Sequence, residues 1–525
     1  MSAAGCRVLF GSAVLLLVGC VTVGPDFEEP EVAWLAQWQM DLYGWTQATG
    51  EGASSGVDTG RLDLRFWWQV FNDPVLDALI TAAREDNLTL RLAGLRILES
   101  RATLGIVRST RYPQVQQVTG AVGYVNSQQT GGDAPDSSDD FAAYDAGFNL
   151  GWELDFWGRF RRGIESADAA FFASMANHQD VQVLLAAEVA DLYFALTTTR
   201  LRLEITRHNA DIQRRSLEIT EELFEQGEES ELDVQQAKTQ YLSTISAIPE
   251  LEITETRVRN ALAALLGRPP QQIDELSQAR YTLPTVRPDA IGDVPAALLA
   301  RRPDVRAAAW LVAAQSAQIG VAKADYFPAI ALVGSLGWSS DSLGATPDIT
   351  TFGVGPALTW NVLDWGRIGN NVRVQDARLQ QAVVNYQDRV LGAARELDDA
   401  AIELVKTGER QQILTEAAQS ARRALDLASI RYQEGYSDFQ RVLDAQRALF
   451  SAQERELVNQ GSHVSALVAF YKALGGGWLE ADIDRLVPEA VRDKMRSRTK
   501  WGDLLDAPLP ENGQGPRALD GATTP

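Results

Sequence analysis

The chain has 525 residues, 45% of them apolar and 22% charged, which excludes a disordered protein. Asp and Glu outnumber Lys and Arg by 70 to 48, and the resulting charge of −22 argues against nucleic acid or anionic headgroups as main partners. The two cysteines, Cys6 and Cys20, lie near the N-terminus and supply no disulfide framework.

The elements follow in chain order. Arg7 precedes the apolar run VLFGSAVLLLVG, too short to span a bilayer but of the length of a secretory signal, so residues 1–19 are predicted to be a signal peptide. The run ends in Leu17-Val18-Gly19-Cys20, which resembles a bacterial lipobox and predicts lipid attachment at Cys20. No Asp follows the cysteine, which points to the outer membrane rather than the inner one. No later stretch is continuously apolar over 18 residues, so no membrane-crossing helix is predicted.

Two segments alternate with period two. In YDAGFNLGWEL (144–154) the even positions are apolar or aromatic and the odd ones small or polar; FGVGPALTWNV (352–362) repeats the design. Each has an upstream partner, VTGAVGYV (118–125) and AIALVGSLGW (329–338), across a turn-rich loop. Four strands of about ten residues have the length of membrane strands. A barrel needs about eight, so a closed wall requires several chains.

Both strand pairs end in one phrase, LDFWGRF and LDWGRIG, whose tryptophans Trp157 and Trp365 are 208 positions apart. The same offset carries Leu150 onto Leu358, Gly227 onto Gly435 and Val234 onto Val442, so the chain is a tandem repeat. Trp157-Gly158-Arg159 and Trp365-Gly366-Arg367 are predicted to turn a strand into a helix. Glycine permits the change of direction, tryptophan suits the membrane boundary, and arginine can reach carbonyls or headgroup phosphates.

Beyond each phrase the period changes. From Leu379 to Tyr432, steps of four and three meet apolar residues except at Thr407 and Gln411, which predicts a coiled-coil-like helix over about 367–434. Such a helix is about 100 Å long. The first copy, 163–226, is looser but keeps Phe171, Met175, Leu185, Leu203, Leu217 and Phe224 on its seam. Gly227 and Gly435 are predicted to end the helices, with Ser230 and Asp438 capping the return legs. The first return leg continues in a helix over about 295–324, opened by Pro295. Residues 76–110 and 439–474 are expected to serve the second copy likewise.

VGPDFEEP (23–30), WWQVFNDPVLDALI (67–80), ALLGRPP (264–270), RRPDVRAA (301–308) and RYQEGYSDFQRVLDAQ (431–446), with the two strand exits, resemble the outer membrane efflux proteins. The likeness is to the TolC-like outer membrane factors, in their NodT-type lipoprotein subgroup. It implies a mixed α+β membrane protein forming a homotrimer. Four strands per protomer make a 12-stranded β-barrel continuous with a 12-helix periplasmic α-barrel, ringed by an equatorial domain. The chain then divides into the signal peptide, an anchored equatorial segment (20–75), a first repeat (76–266), an equatorial linker (267–294), a second repeat (295–475), a C-terminal equatorial segment (476–500) and a disordered tail (501–525).

The implied function is a passive exit duct of a tripartite pump, fed by a periplasmic adaptor (membrane-fusion) protein and an inner-membrane transporter of the RND type. The resemblance places acidic residues at the periplasmic aperture, here Asp233, Asp444 and Glu231, with Arg441 standing where many relatives have an acid. An Arg441 latch to Asp233 or Glu231 is therefore expected. Adaptor docking is expected at Gly227, Ser230, Gly435, Tyr436 and Ser437. His178, His208 and His463 are scattered, without ligand spacing, and no phosphate loop follows a strand. No enzyme, metal or cofactor is expected. The competing readings are a protein-secretion duct and a non-conducting, lipid-anchored coiled-coil scaffold.

Overall fold

The computed structural model describes residues 22–32, 63–129, 137–284, 296–342 and 349–510; Cys20 and the signal peptide lie outside these. It opens with a 3-10 turn, Leu64–Phe71, followed by α1 (Pro74–Asp86) and α2 (Leu88–Ser109). Next come β1 (Val115–Gln129), β2 (Ser137–Leu154), the long α3 (Arg159–Glu225) and its return leg α4 (Glu231–Leu265). The second copy contains α5 (Pro303–Ala324), β3 (Ala329–Ser340), β4 (Ile349–Thr359), the long α6 (Arg367–Gln433) and α7 (Phe439–Ala473). Two short helices, α8 (Ile483–Leu486) and α9 (Glu489–Arg498), and a 3-10 turn, Gly502–Leu505, end the described residues.

The strands form one antiparallel sheet in the order β1-β2-β3-β4. Phe148 stands opposite Val118 and Leu336, and Leu336 opposite Phe352, so one face carries the apolar side chains of all four strands. That face has no cover within the chain: Val118 is 81% exposed and Phe352 75%. The small and polar residues Thr119, Gly147, Gly337 and Thr351 align on the other face.

α3 and α6 both have 67 residues. The predicted seam is buried along the upper half of α6, at Tyr386, Val390, Ala393, Leu397, Ala400 and Leu404, and only partly covered below. The two polar breaks in it are bridged. Asn459 of α7 donates to the Thr407 carbonyl and to Gln411 Oε1 (3.0 and 2.8 Å), while Thr407 Oγ1 lies 2.9 Å from His463 Nδ1. On α3 the seam holds except at Phe224, which is 43% exposed at the helix end. α3 also contains one 18-residue window with a mean hydropathy of 1.4, typical of a membrane span, but most of it is buried inside the chain, so it is the core helix.

The main core joins the upper helices to the WWQVFNDP segment. Trp67 is 1% exposed and stacks on Tyr471 at 5.3 Å. Asp73 caps α1, accepting from the Val75 and Leu76 amides, and also accepts from Tyr193 Oη (2.7 Å). Asn87 separates α1 from α2: its amide oxygen caps α2 at Leu90, and its Nδ2 donates to the Leu265 carbonyl. A residue with two helix ends to satisfy breaks a run that periodicity reads as one.

Three expectations need correction. The helix before β3 begins at Pro303, not Pro295, because residues 296–301 form a 3-10 turn and proline at the first helical position restarts the helix. Within the chain α2 packs along α3 rather than α6. Residues 501–510, assigned to a disordered tail, are folded in: Leu505 is fully buried, and Arg101 donates to the carbonyls of Leu504 and Ala507.

Candidate functional site

The two strand-to-helix junctions share a backbone device. Gly158 (φ 77°) and Gly366 (φ 84°) occupy the N-cap positions of α3 and α6 in the left-handed region, where a side chain would be strained. Neither glycine can cap with a side chain, so the aspartate of the phrase does it. Asp155 accepts from the Phe160 and Arg161 amides (3.1 and 3.0 Å). Asp364 accepts from the Gly366 and Ile368 amides, which hold its carboxyl below the usual value. The one-residue difference between LDFWGR and LDWGR hid this equivalence, because an alignment on tryptophan puts the aspartates out of register.

Around this device the junctions diverge. Trp157 stacks on Phe327 (4.6 Å) and its Nε1 donates to the Pro328 carbonyl (2.9 Å). Trp365 is 97% exposed and itself adopts φ 53°. Arg159 pairs with Glu153 (3.7 Å) and Asp325 (3.6 Å), acids rather than the predicted carbonyls or phosphates. Arg367 is exposed.

The hairpin tips are also built alike. The amides of Gly227 and Gly435 return to Phe224 and Tyr432 carbonyls, and those of Glu228 and Tyr436 to Leu223 and Arg431, all 2.9 Å. Both glycines are in the left-handed region, at φ 79° and 77°. Ser230 caps α4 through the Asp233 amide, and Asp438 caps α7 through the Arg441 amide. Tyr436 is 77% exposed and Ser437 half-buried.

Of the aperture residues, Asp233 bonds the Ser230 hydroxyl, and Glu231 is exposed in the first turn of α4. Asp444 pairs with Arg447 (3.3 Å) and accepts from Gln440 (3.1 Å). The Arg441 latch is not formed. Arg441 lies 3.8 Å from Asp438, one turn back, because the capping carboxylate is nearer than any group across the hairpins. What joins the tips is a cluster that the sequence reading passed over: Leu217, Val234, Ala237, Phe439, Val442 and Leu443 are buried together. Beside it Tyr432 Oη donates to Glu229 Oε1 (2.9 Å), and burial with this bond raises the phenol above its ordinary pKa. The period-seven seam marked Tyr432 as apolar filling, and nothing local identifies Glu229 as its partner.

The model of the family described as "Outer membrane efflux protein" matches residues 79–268 and 294–476, one block per repeat. The chain belongs to this family.

The efflux protein is 31% identical to the solvent efflux pump outer membrane protein SrpC of Pseudomonas putida, covering 89% of this chain and 97% of that one. It is 29% identical to the probable outer membrane lipoprotein SilC of Salmonella typhimurium, covering 90% and 99%. The solved outer-membrane channel OprN superposes with a TM-score of 0.78 at 33% identity, over 87% of this chain and 99% of that one. The protein is an outer-membrane channel, the exit duct of an efflux system, with its helices forming the periplasmic tunnel. Its relatives are channels rather than enzymes. His178 is packed, 6% exposed beside Gln182, and burial lowers it to about 4.

In this light the VGPD segment has a place. Val23 donates to the Trp157 carbonyl (3.1 Å), and Arg162, its side chain 5% exposed, holds the Val23 and Gly24 carbonyls and Asp26. Gly24 and Gly320 let the strap lie flat on α5: a Cβ on Gly24 would sit 2.4 Å from the Gly320 Cα.

Proposed function

We propose that this channel is a lipid-anchored homotrimer in which β4 of one subunit pairs with β1 of the next, closing a barrel of twelve strands. One observation carries the reading. The sheet ends in two unpaired edges, β1 and β4, and its apolar face is bare. Unpaired backbone groups are not tolerated in a bilayer, and an open apolar sheet is not stable in water. The anchor is Cys20, whose neighbours in sequence the Arg162 clamp fastens to the barrel base.

The tips, with Gly227, Ser230, Gly435, Tyr436 and Ser437, dock a periplasmic adaptor that links the duct to an RND-type inner-membrane transporter. Asp233, Asp444 and Glu231 line the aperture, where clustered carboxylates attract cations and resist anions. The cargo is small toxic molecules, in keeping with relatives named for solvent and cation efflux.

Mass measurement of the detergent complex tests the assembly: a trimer with steady bilayer conductance is expected, and a monomer without conductance would overturn it. Replacing Asp233 and Asp444 with alanine should raise single-channel conductance and weaken cation preference. Unchanged conductance removes these residues from the aperture.

A further inference from the structure

A cavity of about 560 Å³ lies between the α1–α2 turn, α3 and the segment 479–488, away from the strands and the helix tips. Arg84 forms one wall. Its guanidinium lies over the faces of Trp68 (4.6 Å) and Phe66 (5.8 Å), and Nη2 donates to the Gly477 carbonyl (2.6 Å). Nε is buried and has no acceptor. Arg485, on α8, adds a second positive charge nearby; burial first, and then this charge, bring Arg84 down to about 10. Neither arginine has an ion-pair partner among the described residues. A desolvated cation without a counter-charge is costly, and a fold that keeps one has a use for it or a ligand that neutralises it.

The acids bordering the cavity do not fill that need. Asp482 caps α8 through the Asp484 amide (3.2 Å), and Asp484 pairs with Arg492 (2.9 Å). Glu480 acts on Arg65 and Arg306, and Glu85 is exposed. The remaining lining is largely apolar, with Phe66, Leu90, Leu479 and Pro488, and His178, neutral at pH 7, behind it.

We propose that this cavity binds a small organic carboxylate with an aliphatic body. Arg84 and Arg485 hold the carboxylate, and Phe66, Leu90 and Leu479 cover the tail. A guanidinium presents paired donors in the plane a carboxylate accepts, and the volume falls in the range of small-molecule sites. None of the lining residues comes from the strands or the helix tips, so in the proposed assembly the ligand is bound beside the conduit and not carried through it.

Calorimetric titration of the full-length protein in detergent at pH 7 with hexanoate tests this. Saturable binding is expected, weakened at least about tenfold by Arg485→Gln and by Arg84→Gln, as loss of a charged hydrogen bond requires. Acetyl-dialanine, with the same carboxylate on a polar body, and sulfate, with no body, should bind more weakly. Absence of saturable binding, an unchanged affinity in Arg485→Gln, or sulfate binding as tightly as hexanoate would each overturn the assignment. Arg485 is exposed, so its replacement leaves the fold intact; should Arg84→Gln fail to fold, Arg485→Gln and the sulfate comparison still decide.

Discussion

The two strand-to-helix junctions start from one phrase and finish in opposite states. At the first, Trp157 lies against Phe327, Gly158 is backed by Thr22 (a Cβ there would meet its Cγ2 at 2.7 Å), and Arg162 holds the strap. At the second, Trp365 points into solvent and a Cβ on Gly366 would meet only Asn370 Nδ2, at 3.7 Å. The backbone device, an αL glycine with an aspartate cap, is common to both; the covering is not. A duplicated sequence supplies the same local turn twice, but one chain has one N-terminal strap and one set of inner neighbours. The uncovered junction is the one beside β4, a free edge of the sheet, where a second subunit would arrive.

The same contrast continues along the helices. Asp180 of α3 and Asp388 of α6 are repeat equivalents, 208 positions apart. Burial, reinforced by Asp304, pushes Asp180 up to about 6, whereas Asp388 is exposed.

The comparison can be broken most forcefully at the tryptophans. Trp157 is partly buried, so Trp157→Ala should cost about 2–3 kcal/mol, at the lower end of what emptying a packed aromatic site does, seen as a lower melting temperature of the subunit held in detergent. Trp365→Ala should leave subunit stability nearly unchanged and act only on assembly. Equal losses in the subunit would show that the second junction is covered after all. The glycines come next. Gly158→Val and Gly366→Val share a backbone strain of about 1–2 kcal/mol, and Gly158→Val adds about 1–3 kcal/mol from the clash with Thr22. Denaturant midpoints should therefore fall further for the first.

The aspartates sharpen the contrast through pH. Because its folded pKa is raised, Asp180 disfavours the folded state as pH climbs from its ordinary value of 3.8 through about 6. Asp180→Asn should thus stabilise the protein at pH 7 by about 1–2 kcal/mol and have no effect below pH 4, while Asp388→Asn should be neutral throughout. Asp364 has the opposite sign. Its depressed pKa gives stability present above 3.8 and lost as pH falls through its lower folded value. Asp364→Asn should flatten the acid limb of the unfolding curve. The smallest effect is expected at the tips. Tyr432→Phe removes one hydrogen bond, worth about 1 kcal/mol, and should speed amide exchange around Glu229 without altering the apolar cluster.

Much of this molecule was readable because it is periodic. Alternation gave the faces of β2 and β4, and the four-three spacing gave α6 to within a residue at either end, since apolar residues can only be buried together if they share a face. Gly158, Gly366, Gly227 and Gly435 were legible for a related reason: a turn in the left-handed region has few other candidates. Less was legible where one residue serves two ends, as Asn87 does between α1 and α2, or where an aspartate shifts by one position between copies, as Asp155 and Asp364 do.

The sequence by itself determined the repeat, the four strands, the two long helices and the turns, because each depends on the order of nearby side chains. Only the tertiary structure decided the partners. Arg441 joined Asp438 rather than an acid across the hairpins, Glu229 found Tyr432, Arg162 took hold of the strap, and Arg84 was left with a buried Nε that has no acceptor among the described residues. Arg441 and Asp438 are three positions apart, but the other pairings bring together residues more than a hundred positions apart, so their distances follow from how whole helices pack and leave no trace in local spacing.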